Sequence, residues 1–253
     1  IEDYKYFDKK NNNIDFDGML QSIKGIPEND IVVLHGCCHN PTGADLNKDQ
    51  WIQITELIRK KNLVTICDFA YQGLGEGIEN DAVGVRTLLK NLDNLIICSS
   101  YSKNFGLYSE RVGCLIYHSK NMNNYSSVQS NFKKVARTIY SNPPSHGSDI
   151  VKTILSDEKL KSLWEINLNE AKNRIINMRK SLVENLVKEN CSRDFEFIIN
   201  QKGMFSFTGL SSDEVNQLKE KFSIYIVNSG RINVAGVTSK NVNYIAKAIS
   251  SVI

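Results

Sequence analysis

LIICSSYSKNFGLYSERVG, residues 95–113, sets a short apolar run against an abrupt succession of small, polar and charged residues. Such a run, bounded by turn formers, reads as a buried strand, and its polar continuation as the loop at the strand's carboxyl end. Two upstream segments repeat the pattern, VVLHGCCHNPTG (32–43) and VTICDFAYQG (64–73). Between them Asn47 and Gln50 make an Asn-x-x-Gln cap, and Trp51, Ile54, Leu57 and Ile58 follow at helical spacing. Asp81 to Leu92 reads as a second, weaker helix. Strands alternating with helices predict an α/β fold with a mostly parallel sheet, its strands near Ile31–Leu34, Leu63–Cys67, Leu95–Cys98 and Cys114–Tyr117.

Downstream of Pro143-Pro144 the style changes. Residues 148–188 read as one or two helices able to bridge two domains. Phe195–Ile199 and Met204–Phe207 read as paired strands around Gly203, and Ser211 with Glu214 forms a capping box ahead of Val215, Leu218 and Phe222. Ile224–Val227 reads as another strand, and Val242, Ile245, Ile249 and Val252 share one face of a closing helix. These elements predict a large domain over 1–170 and a small C-terminal α+β domain over 171–253.

In open parallel sheets ligands bind outside the carboxyl ends of the strands, so the polar residues gathered there are functional candidates. Lys103 follows its strand between Ser100, Ser102 and Asn104. A lysine in an apolar pocket or near another cation can act as an amine nucleophile. Arg111, eight positions on, offers a planar fork for a phosphate. Asp68 ends another buried strand, where a carboxylate calls for a cationic partner such as a protonated pyridine nitrogen. Amine, carboxylate and guanidinium together are what pyridoxal phosphate needs to serve as an electron sink. Singly, each has an ordinary reading: a solvated loop lysine, a helix-capping aspartate, an arginine paired with Glu110.

Composition narrows the classes. The 253 residues are 41% hydrophobic and 23% charged, with a net charge of +3, which argues against a nucleic-acid partner. No apolar run has the length to cross a membrane. Five of the six cysteines (Cys37, Cys38, Cys67, Cys98 and Cys114) lie in strand-like apolar segments and read as buried small hydrophobes. That usage predicts a reducing compartment, with the cytoplasm as the expected location. Cys37 and Cys38, on a strand, would point to opposite faces. His35 and His39 beside them suggest zinc, but a strand and its exit are not expected to bring both rings to one ion, and no metal is expected. His35 is read instead as support for the cofactor site. Phe105 and Tyr108 read as core. The chain opens Ile1-Glu2-Asp3-Tyr4, so its natural start is expected to lie upstream.

SYSKNFGLYSERVG resembles the cofactor-lysine motif of the aspartate aminotransferase family, in the class I group of fold-type I pyridoxal-phosphate enzymes. HGCCHNPTG and CDFAYQG resemble its two preceding motifs in the same order, and YSNPP (140–144) and SGRINVAG (229–236) two later ones. The resemblance runs over essentially the whole chain. It implies that Lys103 carries the cofactor and moves the α-proton, that Asp68 keeps the ring nitrogen protonated, and that Tyr71 and Asn40 donate to the phenolic oxygen. It further implies phosphate contacts from Ser100 and Arg111. Arg231 would bind the substrate α-carboxylate, with Asn40 beside it. Arg137, in KVARTIYSNPP, would bind the distal carboxylate in the neighbouring subunit's site. A homodimer with shared sites, acting on dicarboxylic amino acids and 2-oxo acids, follows from the same likeness. The family's chains extend upstream, where a Gly-rich phosphate turn, a ring stacked on the pyridine and a dimerisation arm have no counterpart in this sequence. Two rival readings stand beside it: a relative with aromatic or broad specificity, and a truncated chain acting as an inactive or interaction module.

Overall fold

The computed structural model describes the backbone of residues 1–253 and every side chain except that of Met122. Two short strands, β1 (Phe7–Asp8) and β2 (Asn13–Ile14), pair antiparallel ahead of α1 (Phe16–Gly25). The main sheet follows in sequence order: β3 (Ile31–His35), β4 (Val64–Phe69), β5 (Asn94–Ser100) and β6 (Gly113–Ser119). β3, β4 and β5 are parallel, with His35 level with Asp68 and Asp68 level with Cys98. β6 runs antiparallel at the edge. The crossovers are α2 (Lys48–Lys60), then α3 (Ile78–Asp81) with α4 (Val83–Asn91). The predicted helix from Asp81 to Leu92 is thus interrupted at Ala82. The Asn47–Gln50 capping box is present in full and fixes where α2 begins.

Period-2 side-chain alternation gives this sheet two different faces. Val32, Leu34, Cys67, Leu95 and Ile97 point into a core completed by Met19, Ile23, Trp51, Ile54, Ile58 and Leu88 from α1, α2 and α4. Burying one such aliphatic side chain is worth roughly 1.5–3 kcal/mol, so this face sets the register of every strand. The opposite face carries Val33, Ile66, Asp68, Cys98, Ser100 and Leu115, none of them buried. Beyond β6, α5 (Tyr125–Tyr140) has no buried residue among those described.

The remainder encloses a second core. α6 (His146–Ser156) leads into α7 (Glu158–Lys188), a 31-residue helix that runs unbroken through residue 170. α7 packs against α10 (Val242–Val252), and its Leu168, Ile175, Leu182 and Leu186 share a core with α9 (Ser212–Phe222). Between them lie α8 (Phe197–Asn200), β7 (Phe205–Phe207) and β8 (Arg231–Asn233). The expected strand at 195–199 is helical instead, because Phe195 and Ile198 are buried three apart and satisfy a helical turn. β7 therefore pairs with β8, placing Phe207 opposite Arg231. The expected strand at 224–227 is a loop whose Ile224 and Ile226 rest against the second core without a ladder partner. Among the described residues no helix is long and apolar enough to cross a membrane.

Candidate active site

Beyond His35 the chain bends sharply. At Gly36 a side chain would meet the Phe69 ring at 2.7 Å, so the backbone approach requires glycine. Cys38 then adopts a left-handed conformation (φ +51°), and its amide and that of His39 both donate to the Asp45 carboxylate, at 2.6 and 2.8 Å. The Thr42 hydroxyl, buried, bonds His39 Nδ1 (2.9 Å), and Tyr6 stacks on the His39 ring with centroids 3.9 Å apart. This packed turn delivers Asn40 to the carboxyl end of the sheet.

Asn40 links the chemistry. Its Nδ2 donates to the Tyr71 hydroxyl at 3.3 Å, and its Oδ1 accepts from the Arg231 guanidinium at 3.0 Å. Lys103 Nζ lies 4.7 Å from the centre of the Tyr71 ring. Arg231 also lies over Phe205, 4.7 Å from its centroid, and Phe205 meets Tyr71 edge-on at 6.2 Å. Five segments far apart in sequence thus converge on one cluster. Asp68 opens onto an adjoining cleft of about 510 Å³ that Ser100 also lines. Among the described residues no hydrogen-bonding group meets the Asp68 carboxylate, while Ser100 Oγ accepts from the Ser102 amide at 3.2 Å. A carboxylate without a donor, in a cleft beside a lysine on an aromatic ring, suits a ligand that brings a protonated nitrogen and an aldehyde.

Burial pushes the Tyr71 hydroxyl up, and the Asn40 hydrogen bond opposes that rise. Burial, then neighbouring His35, drives His39 down to about 3, so its imidazole is neutral. His35, level with Asp68, is lowered by burial against the attraction of that carboxylate.

Other expected members stand apart. Arg111 is exposed, in a left-handed conformation (φ +52°), and donates to the Tyr108 carbonyl at 2.8 Å with no hydrogen bond to Ser100. Arg137 is exposed on α5, and no hydrogen bond joins it to the Asn40 cluster. Several expectations are corrected. Cys37 and Cys38 lie past the end of β3 and are both buried, because the turn replaces strand alternation. Cys114 is exposed, as it lies at the start of β6, the edge strand of the sheet. The rings of His35 and His39 come within 4.5 Å, since the bend folds the second back over the first. Tyr108 is half exposed with its hydroxyl toward Met204, and Phe105 stacks on Trp164. Phe205, Asp45, Thr42 and Tyr6 were not singled out from sequence.

The fold is that of the fold-type I transferases. The chain matches the model of the family Aminotransferase class I and II over residues 1–249, and it belongs to that family. It is 44% identical over 253 residues to an aspartate aminotransferase of Haemophilus influenzae, covering all of this chain and 64% of that protein. A crystal structure of an aromatic-amino-acid aminotransferase from Burkholderia pseudomallei, covalently bound to pyridoxal phosphate, superposes with a TM-score of 0.95 at 47% identity. It is matched over 98% of this chain and 62% of its own. The aspartate aminotransferase of Saccharomyces cerevisiae cytoplasm superposes with a TM-score of 0.96 at 39% identity, over 98% of this chain and 62% of its own. The chain thus spans a little under two thirds of these relatives' length.

Proposed function

We propose that the chain is the greater part of a pyridoxal-phosphate-dependent aspartate aminotransferase. The reaction is reversible transfer of the amino group from L-aspartate to 2-oxoglutarate, giving oxaloacetate and L-glutamate. The observation that carries this reading is the linked set Lys103–Tyr71–Asn40–Arg231, in which one amide joins a phenol to a carboxylate-binding fork and an amine lies against the phenol's ring. Pyridoxal 5'-phosphate, when bound, supplies an electron sink for the substrate α-carbon. Lys103 attaches it and then moves the proton at that carbon. Asp68 holds the proton on the ring nitrogen. Tyr71 and Asn40 donate to the ring's phenolic oxygen, while Ser100 and Arg111 hold the phosphate. Arg231 binds the substrate α-carboxylate, with its fork already oriented by Asn40 and Phe205.

Arg137 makes no hydrogen bond to this cluster in its own chain, which supports a role in the site of a second copy, on the distal carboxylate. The protein is then a homodimer with two shared sites. We place its large domain at 1–170 and its small domain at 171–253, in the cytoplasm. An aromatic or broad substrate range is the second reading, favoured by the likeness to the Burkholderia pseudomallei enzyme.

The test uses the natural-length protein with ¹⁵N-aspartate and 2-oxoglutarate. Transfer of ¹⁵N to glutamate, reduced by orders of magnitude in Asp68→Asn with the fold intact, is expected. Wild-type-like transfer in that variant contradicts the assignment of Asp68. Preference for phenylalanine over aspartate selects the second reading. A mixture of Arg137→Ala and Lys103→Ala homodimers, allowed to exchange, should regain activity up to half of wild type per heterodimer. No recovery after confirmed exchange contradicts the shared site.

A further inference from the structure

Behind the Asn40 turn, Cys37, Cys38 and Asp81 are buried together. Their two sulfurs and a carboxylate oxygen all lie within 4.8 Å of one another. Neighbouring residues of a strand would point apart, and the left-handed backbone at Cys38 brings these sulfurs together. Asp81 Oδ2 accepts amide hydrogens from Gly73 (2.8 Å) and Gly75 (3.0 Å), whereas Oδ1 accepts only that of Glu76 (2.7 Å). Oδ1 therefore keeps an open lone pair. Among the described residues no lysine, arginine or histidine forms an ion pair with Asp81. A Cβ at Gly75 would lie 2.7 Å from Asp81 Oδ1 and 2.9 Å from Cys38 Sγ, so glycine there leaves the two ligand atoms facing each other.

We propose that Cys37, Cys38 and Asp81 form a binding site for one soft divalent metal ion of the zinc or cadmium class. Two sulfurs and one carboxylate oxygen match the preferences of these ions, and the Tyr71 carbonyl, 3.9 Å from Cys38 Sγ, is at hand for a fourth position. Tetrahedral ligands around such an ion are roughly 3.5–4 Å apart, so the trio needs to contract by at most about 1 Å. The charge balance favours the exchange. Two neutral thiols and one carboxylate carry one negative charge. When the ion binds, each thiol exchanges its S–H bond for a metal–sulfur bond and two protons leave to solvent. The dithiolate, carboxylate and divalent ion together again carry one negative charge, so no charge is added to the interior. No electron is transferred. The histidines of the H-x3-H spacing are not part of this set.

Cadmium ion is the probe, titrated into metal-free protein and followed by calorimetry and by thiolate-to-cadmium charge-transfer absorption. The expected result is one ion per chain, with X-ray absorption fine structure of the loaded wild-type protein giving two sulfur ligands and the remainder oxygen. Cys37→Ser and Cys38→Ser should each weaken binding about tenfold or more, and Asp81→Asn should weaken it measurably. Gly75→Ala should do the same with every thiol retained, and Cys114→Ser/Cys191→Ser should bind like wild type. Fewer than two sulfur ligands, no charge-transfer absorption, or full affinity in a folded Cys38→Ser variant overturns the proposal. The wild-type sulfur count stands as a test even if every variant at the site fails to fold.

Discussion

His39 shows how the site turn couples protonation to folding. Its ring lies between Tyr6 and His35, with Nδ1 on the Thr42 hydroxyl, and burial holds it neutral down to about 3. An unfolded histidine titrates near 6.5, so between those values the unfolded chain binds one more proton at this residue. Above pH 6.5 both states are neutral and His39 contributes no pH dependence. As pH falls below 6.5 its contribution should destabilise the fold by about 1.4 kcal/mol per pH unit, and His35, lowered by burial, adds in the same direction. Urea unfolding at pH 7, 6 and 5 should show this slope in wild type and a shallower one in His39→Gln. Parallel slopes would place the ring in solvent. From sequence, the histidines were visible only as a spacing. What fixes their state is the Tyr6 ring, which comes from the N-terminal segment and had no local signal.

At the scale of elements, the capping boxes, the helix faces and the strand exits were legible, because each is a short pattern with one physical solution. Pairing in the C-terminal part was not. Phe195–Ile199 and Met204–Phe207 look alike as apolar runs, and one tertiary contact holds both in place. That contact is Arg179. It is 2% exposed, its pKa is lowered to about 10 by burial, and it donates to the carbonyls of Ile198, Gly203 and Phe205 and to the Ser206 hydroxyl. One guanidinium thereby holds α8 and the start of β7, the strand that carries Phe205 under Arg231. Its removal strands several buried acceptors at about 1–3 kcal/mol each. Arg179→Met should therefore lower stability by about 3 kcal/mol or more in urea unfolding, against about 1 kcal/mol for Ser211→Ala at the α9 cap. Equal losses would mean that Arg179 is no more than a spacer.

On the scale of the molecule, the main sheet is covered on one face only. Val33 and Leu115 are exposed on the bare face of the sheet, and Val135, Ile139 and Tyr140 on α5. Sheets of parallel strands are ordinarily covered on both sides, and contiguous apolar surface of this kind drives association. Residues 1–253 as an isolated chain should self-associate with rising concentration, as sedimentation velocity would register. Leu115→Lys should shift the distribution toward monomer. A chain that stays monomeric at high concentration would show the face to be tolerated in water. The α/β class was legible in sequence because strand–helix alternation is local. The bare face was not, because covering a sheet depends on what lies across it.

The central claim is that strand exits far apart in sequence meet around Lys103 as a cofactor site. Incubation of the chain with pyridoxal 5'-phosphate, borohydride reduction and peptide mass analysis test it directly. The expected result is one phosphopyridoxyl group per chain, on Lys103, and none in Lys103→Ala. Label on another lysine, or retained by that variant, would contradict it.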